Sequence, residues 1–156
     1  MNVARDLQTA KHGASPEPSG LGGALDTPAS SDVWSALDRI GKSRTLRRAE
    51  KLIHLLNFLV ETTLSGNAHY LKETTVGVSV FGRPPDYDPK TDTIVRSQAW
   101  RLRAKLRDYY ATEGANDSVI IDIAKGQYAA TFFLRSPVVY NHASILTEHR
   151  SHSSRK

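Results

Sequence analysis

Arginine and lysine side chains are concentrated in one stretch of the sequence, residues 92–114, which reads DTIVRSQAWRLRAKLRDYYATEG. If this stretch is a helix, spacings of three and four place one stripe of side chains on the same face: Arg96, Trp100, Arg103 and Arg107. Arg101 and Lys105 lie on the flank of this stripe. Guanidinium groups donate hydrogen bonds to phosphate oxygens and to the edges of bases. The chemistry that this pattern indicates is therefore recognition of a polyanion.

The same stretch should be an amphipathic helix with one side in a core. Its apolar side chains also recur at helical spacing, at Val95, Ala99, Leu102, Leu106 and Tyr109. Asp92 can accept a backbone N–H at the helix start, and Gly114 offers a left-handed stop. Asp108 is the only acid between Thr93 and Tyr110. An ordinary solvated helix interleaves acids with its basic residues, so this face favours DNA binding.

Two helices are predicted before the basic one. The first covers residues 33–40, is capped by Asp32, is stopped by Gly41, and places Trp34, Leu37 and Ile40 on one side. The second covers residues 46–65 and ends at Gly66 and Asn67. Its inward face is predicted to be Leu52, Leu55, Leu56, Leu59 and Val60.

Residues 72–81 are ambiguous from local pattern alone. Val76, Val78 and Val80 alternate as in a strand, yet Val76, Val80 and Phe81 also make one face of a helix. Residues 82–90, GRPPDYDPK, contain three prolines and indicate a turn. After the basic helix, residues 118–123 and 128–134 are predicted to pair as a β-hairpin around a turn at residues 124–127.

The charge of the chain is unevenly distributed. The net charge is +5, and residues 33–135 hold 16 basic and 11 acidic side chains, whereas residues 1–32 hold two and four. The chain has no cysteine, which excludes disulfides and thiolate chemistry. Apolar runs such as residues 55–60 are too short to span a bilayer. We expect a cytoplasmic, nucleoid-associated protein without a membrane partner.

The sequence offers little for catalysis or metal binding. Its histidines are scattered, and no nucleophile elbow is present. Asp86, Asp88 and Asp92 approach the spacing of a calcium loop, but Lys90 and Thr91 occupy positions that need an oxygen ligand and a glycine. The sequence therefore predicts no enzymatic activity, no metal site and no cofactor.

Two runs of sequence resemble a known family. AWRLRAKLRDYY, followed by a hairpin with KGQY at its turn, resembles the C-terminal half of OmpR/PhoB-type winged helix-turn-helix DNA-binding domains. LKETTVGVSVFGRPPDYDPKTDTIVR is similar to part of a bacterial winged-helix module that heads some tetratricopeptide-repeat and cyclase-like proteins, and the match to this module is closer. The resemblance covers about residues 37–133. It implies an α+β fold with three main helices, a C-terminal β-hairpin wing and a short extra N-terminal helix, and it makes residues 72–81 helical.

The resemblance also implies roles for individual residues. Residues 92–110 would be the recognition helix in the major groove, and the wing at residues 118–134 would touch the adjacent backbone or minor groove. Base contacts are implied for Arg96, Trp100, Arg101 and Arg103. Phosphate contacts are implied for Arg47, Arg48, Lys105, Arg107 and, at the wing tip, Lys125. The chain departs from the pattern at Trp100, where these modules more often carry a small or basic residue, and at Gly126-Gln127-Tyr128, which replaces Gly-x-Gly-Tyr.

The expected organisation is a disordered leader at residues 1–31, a winged helix-turn-helix domain at residues 32–135 and a flexible basic tail at residues 136–156. The expected function is sequence-specific regulation of transcription on double-stranded DNA, with two copies on paired half-sites and a protein partner as one source of the signal. One alternative is an adaptor that docks a protein through Trp100, Tyr109 and Tyr110. Another is a non-specific architectural DNA binder. At the residue level, Trp100 could instead pack beneath the wing, and Arg101 could instead pair with Glu113 or Asp117.

Overall fold

The computed structural model describes residues 27–135, so the predicted leader and tail lie largely outside the described residues. The described part is α+β, with four α-helices followed by a two-stranded antiparallel hairpin. In chain order the elements are α1 (Ser30–Lys42), α2 (Glu50–Leu64), a 3-10 helix (Ala68–Tyr70), α3 (Glu73–Phe81), α4 (Ile94–Ala111), β1 (Val119–Ile123) and β2 (Ala130–Leu134).

The core is built around α2 and α4, each of which has an apolar stripe at helical spacing. Every residue predicted for their inward faces is buried, five on each helix. Leu55 and Leu102 are among the largest side chains that are fully buried. Burying an aliphatic side chain of this size stabilises the fold by about 1.5–3 kcal/mol, so these two stripes account for much of the driving force. The predicted orientation of both helices is confirmed.

Helix α1 is longer than predicted at both ends. It begins at Ser30 and ends at Lys42, so Gly41 lies inside the helix and does not stop it. Asp32 is not its cap but a first-turn residue, whose N–H donates to the carbonyl of Ala29 at 3.0 Å. The side chain of Trp34 does not join the core and is 44% exposed. Val33 and Ala36 are buried beside Leu37 and Ile40 in its place.

Residues 43–49 form a turn, so α2 starts four residues later than predicted. The hydroxyl of Ser43 donates to the carbonyl of Ile40 at 2.6 Å and accepts the N–H of Leu46 at 3.2 Å. From a distant part of the chain, the Glu113 carboxylate accepts the N–H groups of Arg44 and Thr45, each at 2.9 Å. These polar contacts satisfy the backbone N–H groups of the turn and thereby stabilise it ahead of α2.

Residues 73–81 are helical, as the resemblance implied and against the alternation of the valines. The reason is tertiary, because Gly77 lies directly under the ring of Tyr87 and the Tyr87 hydroxyl donates to the carbonyl of Glu73 at 2.8 Å. The helix then ends at Gly82, which has a left-handed φ of +61°. The predicted turn that follows is confirmed, with no helix or strand between α3 and α4.

Different interactions determine the start and the end of α4. At its start, the Asp92 carboxylate accepts the N–H of Ile94 at 3.0 Å, as predicted, and also pairs with the Arg83 guanidinium at 2.6 Å. At its end, the prediction of a left-handed Gly114 is wrong, because the helix finishes at Ala111 and the described glycines with positive φ are Gly66, Gly82 and Gly126. Gly114 is needed for space, since an added Cβ would lie 2.3 Å from the Tyr109 ring.

The hairpin closes the core beside α1 and α4. Its strands pair from Val119 opposite Leu134 to Ile123 opposite Ala130, around a turn at residues 124–129 that is longer than predicted. Val119, Ile121 and Ile123 are buried. Among the described residues, no helix combines the length and the apolar character needed to cross a membrane.

Candidate nucleic-acid interface

The solvent-facing side of α4 carries three adjoining surfaces. A helix turns by about 100° per residue, so Ser97, Trp100 and Ala104 lie about half a turn away from the buried row. We call these three residues the outer row. Its three members are uncharged, while the exposed acid Asp108 follows one turn after Ala104 on the same face. Trp100 is 68% exposed, the highest exposure among the large apolar side chains of the described residues. Trp100 therefore does not pack beneath the hairpin.

On one side of the outer row, a groove of about 650 Å³ separates α4 from the hairpin turn. We call it the hairpin-side groove, and its lining residues are Glu73, Arg96, Trp100, Arg103, Arg107, Lys125, Gly126 and Tyr128. Gly126 takes a left-handed φ of +81°, which turns the chain at the tip of the hairpin and leaves Lys125 exposed. The groove thus brings together four of the sequence-predicted site residues of α4 and the one predicted at the tip.

Arg103 is bound within the protein. Its Nε donates to the carbonyl of Ile123 at 2.8 Å, and one of its terminal nitrogens donates to the carbonyls of Ala124 and Gln127 at 3.0 and 2.8 Å. One guanidinium therefore joins α4 to both sides of the hairpin turn. This arrangement differs from the predicted base contact, because two of the three guanidinium nitrogens donate to the hairpin.

Arg96 is also engaged inside the protein. Its Nε lies 3.2 Å from the Glu73 carboxylate on α3, and a terminal nitrogen donates to the carbonyl of Pro89 at 2.5 Å. The Glu73 oxygen in this ion pair is buried and has no hydrogen-bond partner among the described residues. Burial, followed by the charge of Glu73, raises the pKa of the nearby Tyr128 phenol. Arg96 thus compensates a buried carboxylate, and roughly half of its side chain remains exposed.

Arg107 and Lys125 differ from these two arginines. Both are exposed, and within residues 27–135 neither takes part in an ion pair or a side-chain hydrogen bond. They lie at the solvent side of the hairpin-side groove, one on α4 and one on the turn. These two cations can therefore meet an external anion without breaking an internal contact.

A second basic surface lies on the other side of the outer row. Arg101 and Gln98 of α4, with Arg48 and Lys51 at the start of α2, line a shallow cleft of about 430 Å³ that we call the α2-side cleft. Glu50 is the acid in its lining. Lys105 is half-buried one turn further along the same side of α4. Arg47 is exposed on the α1–α2 turn and is absent from the lining of this cleft.

Two acids that follow α4, Glu113 and Asp117, are engaged in structural contacts, whereas Asp108 on the helix is exposed. Glu113 holds the α1–α2 turn, and the hydrogen bond from the Arg44 N–H is the main reason why its pKa is lowered. Asp117 accepts the Tyr109 hydroxyl at 2.7 Å and pairs with Arg39 at 3.4 Å. The alternative in which either acid pairs with Arg101 is therefore not realised.

The tyrosines of α4 are also taken up by the fold. Tyr109 is buried, and its pKa is raised by burial and by its hydrogen bond to Asp117. Burial raises the pKa of Tyr110 to about 12, and its hydroxyl accepts the N–H of Ile121 at 2.7 Å. Of the three aromatic residues considered for docking a protein, Trp100 is the exposed one.

The residues of these surfaces that were not predicted as site residues include Glu73, Lys51 and Tyr128. Glu73 reaches the groove only because α3 crosses beside α4, and no local signal marks it. Lys51 carries a signal, because a lysine in the first turn of a helix opposes the helix dipole and suggests an anion nearby.

Comparison of the chain with protein-family models, with curated proteins and with solved structures finds no match.

Proposed function

We propose that this protein binds double-stranded DNA in a sequence-specific manner and regulates transcription. In this proposal the fold acts as a winged helix-turn-helix, with α4 as the recognition helix in the major groove and the hairpin as the wing on the adjacent backbone or minor groove. The observation that carries the proposal is the arrangement around the outer row of α4. An uncharged row of side chains, with the exposed Trp100 in the middle of its length, lies between two basic surfaces, the hairpin-side groove and the α2-side cleft.

The dimensions of B-DNA suit this arrangement. The major groove is about 12 Å wide and accepts a helix about 10–12 Å in diameter. A helix seated in it has a phosphate backbone on each side and base edges beneath it. Cations are therefore useful on both sides of the helix, while the residues between them meet the bases.

The contacts within the protein refine the predicted roles. We assign phosphate contacts to Arg107 and Lys125 on the hairpin side, and to Arg48, Lys51 and Arg101 on the α2 side. Arg101 thereby moves from the bases to the backbone, because it shares a cleft with the start of α2. Arg103 and Arg96 become positioning residues, since they hold the hairpin and the loop before α4. Lys105 and Arg47 remain candidates for peripheral phosphate contacts.

Winged helix-turn-helix proteins commonly bind as pairs on repeated half-sites, and we extend that expectation to this chain. Two copies would double the number of phosphates that are neutralised. A protein partner could supply the regulatory signal.

The test is selection of duplexes from a random-sequence pool, followed by sequencing, at about 50 and 200 mM salt. The wild-type protein should enrich one motif, and the double variant Arg101→Ala/Arg107→Ala should lose most of its binding. Lys42→Ala is the matched control, because Lys42 is an exposed basic residue on α1, away from α4, and forms an ion pair with Asp38. Equal losses in the control and in the double variant would contradict the proposed interface.

The other outcomes separate the alternatives. Binding with a steep salt dependence but no enriched motif would indicate an architectural DNA binder. No binding at about 50 mM salt would exclude both DNA functions and leave the adaptor function, for which Trp100 offers an exposed aromatic contact.

A further inference from the structure

We infer that the DNA sequence recognised by this protein is read chiefly by Trp100, through contact with the 5-methyl group of a thymine. This inference rests on the proposed function and specifies what the same interface recognises. The contacts within the protein leave few of the predicted base-contacting side chains available.

Arginine is the usual reader of guanine, whose N7 and O6 accept two hydrogen bonds from one guanidinium. Two of the three candidate arginines are not in a position to do this. Arg103 donates to three carbonyls of the hairpin, and Arg96 is held by Glu73 and Pro89. Arg101 lies in the α2-side cleft with two further cations. None of these three arginines therefore offers a free guanidinium at the centre of the outer row.

Trp100 occupies that centre. Its neighbours along the outer row, Ser97 and Ala104, are small, so the indole extends furthest from the helix axis. With 68% of its surface exposed, the indole is largely uncovered by the described part of the protein. A side chain of this size would be the first part of α4 to contact base edges on the floor of the groove.

An indole has one N–H donor and no acceptor, and the rest of its surface is apolar. Against guanine it would cover two acceptors and satisfy at most one, which leaves a desolvated polar group. Against cytosine it would cover the N4 amino group, for which it has no acceptor. Thymine suits it better, because the 5-methyl group offers apolar contact and O4 can accept the single N–H.

The experiment uses the full chain and the motif enriched in the selection described above. Each thymine of the motif is replaced by uracil, one position at a time, which removes the 5-methyl group and leaves the base-pairing edge unchanged. We expect one position in each half-site at which uracil raises the Kd about fourfold, the effect of losing one buried methyl-sized group. Other thymines should tolerate the change.

A variant protein connects this effect to the indole. Trp100→Ala should weaken binding and remove the difference between thymine and uracil at the sensitive position. Trp34→Ala, which alters the exposed tryptophan of α1, should retain the full difference. Trp100 has no role in the core, so circular dichroism of its variant should match that of the wild type.

The results that overturn the inference are distinct from those that overturn the proposed function. Uracil tolerated at every position, or a thymine preference that persists in Trp100→Ala, would reject the role of Trp100 while leaving DNA binding in place. Failure of the wild-type protein to bind any duplex would reject the proposed function and this inference with it.

Discussion

A single guanidinium, that of Arg103, holds the hairpin turn against α4 through three carbonyl oxygens. These acceptors lie on both sides of the turn, so a forked, planar donor is required. A lysine ammonium is a point donor on a flexible stem and cannot span them. Geometry, rather than charge, is what this position demands.

We therefore predict that Arg103→Lys lowers the free energy of unfolding by about 1–3 kcal/mol, although the charge is retained. Urea denaturation measures this loss, and amide hydrogen exchange should show faster exchange at residues 124–129. Arg107→Lys is the matched control on the same helix and should leave both quantities unchanged. Equal stability of the two variants would show that the three hydrogen bonds contribute nothing.

Glu113 gives a prediction about pH. Hydrogen bonds to its ionised form lower its pKa in the folded state, so its contribution to stability is present above the ordinary carboxyl pKa of about 4.3. The contribution is lost as the pH falls through the lowered pKa. Glu113→Gln should hence destabilise the protein at pH 7, and the difference from wild type should shrink towards pH 3. Urea denaturation at both pH values measures it, and Glu61→Gln, an exposed acid of α2, should show no such trend.

At the scale of elements, α3 depends on a close fit between Gly77 and Tyr87. An added Cβ at Gly77 would lie 2.2 Å from the Tyr87 hydroxyl, so the ring would have to move and give up its hydrogen bond to Glu73. Alanine is otherwise the better helix former, by about 1 kcal/mol. The two effects oppose each other, and the contact should outweigh propensity.

We predict that Gly77→Ala destabilises the wild-type protein but stabilises the Tyr87→Ala variant by up to about 1 kcal/mol. Thermal or urea denaturation of the four proteins completes a double-mutant cycle. A loss of the same size in both backgrounds would mean that the contact with Tyr87 is not the cause.

The elements also show how far local sequence determines structure. The stripes of α2 and α4 could be predicted residue by residue, because a dominant 3.6-residue period leaves one way to bury them. In residues 73–81 the valines fit two periods, and tertiary contacts, such as that of Gly77 with the ring of Tyr87 ten residues later, favour the helix. The role of Arg103 could not be predicted for a similar reason. Its spacing groups it with Arg96 and Arg107, and nothing local indicates that hairpin carbonyls return to it.

At the scale of the whole molecule, the basic residues form two separated surfaces. If the protein binds DNA as proposed, the contribution of each basic residue should be measurable from the salt dependence of binding. Removing one phosphate contact lowers the slope of log K against log salt by about one and weakens binding to all sequences alike. We predict this behaviour for Arg48→Ala, Arg101→Ala, Arg107→Ala and Lys125→Ala. Trp100→Ala should instead keep the wild-type slope.

Fluorescence anisotropy titrations of one labelled duplex at several salt concentrations provide the slopes. Lys42→Ala again serves as the control and should match the wild type. If variants of only one of the two surfaces changed the slope, α4 would not lie between two phosphate backbones. That result would contradict the proposed position of α4 in the major groove.

The contacts of Arg103 have a consequence for the thermodynamics of association. Because the hairpin is fastened to α4 before any duplex arrives, its turn has little conformational freedom left to lose on binding. Segments that fold as they bind spend part of their interaction energy on becoming ordered, at a cost of about 2–5 kcal/mol. This protein would avoid most of that cost at the hairpin. Its affinity would then depend on how well two rigid surfaces match, and a duplex of the wrong shape would find no flexible turn to accommodate it.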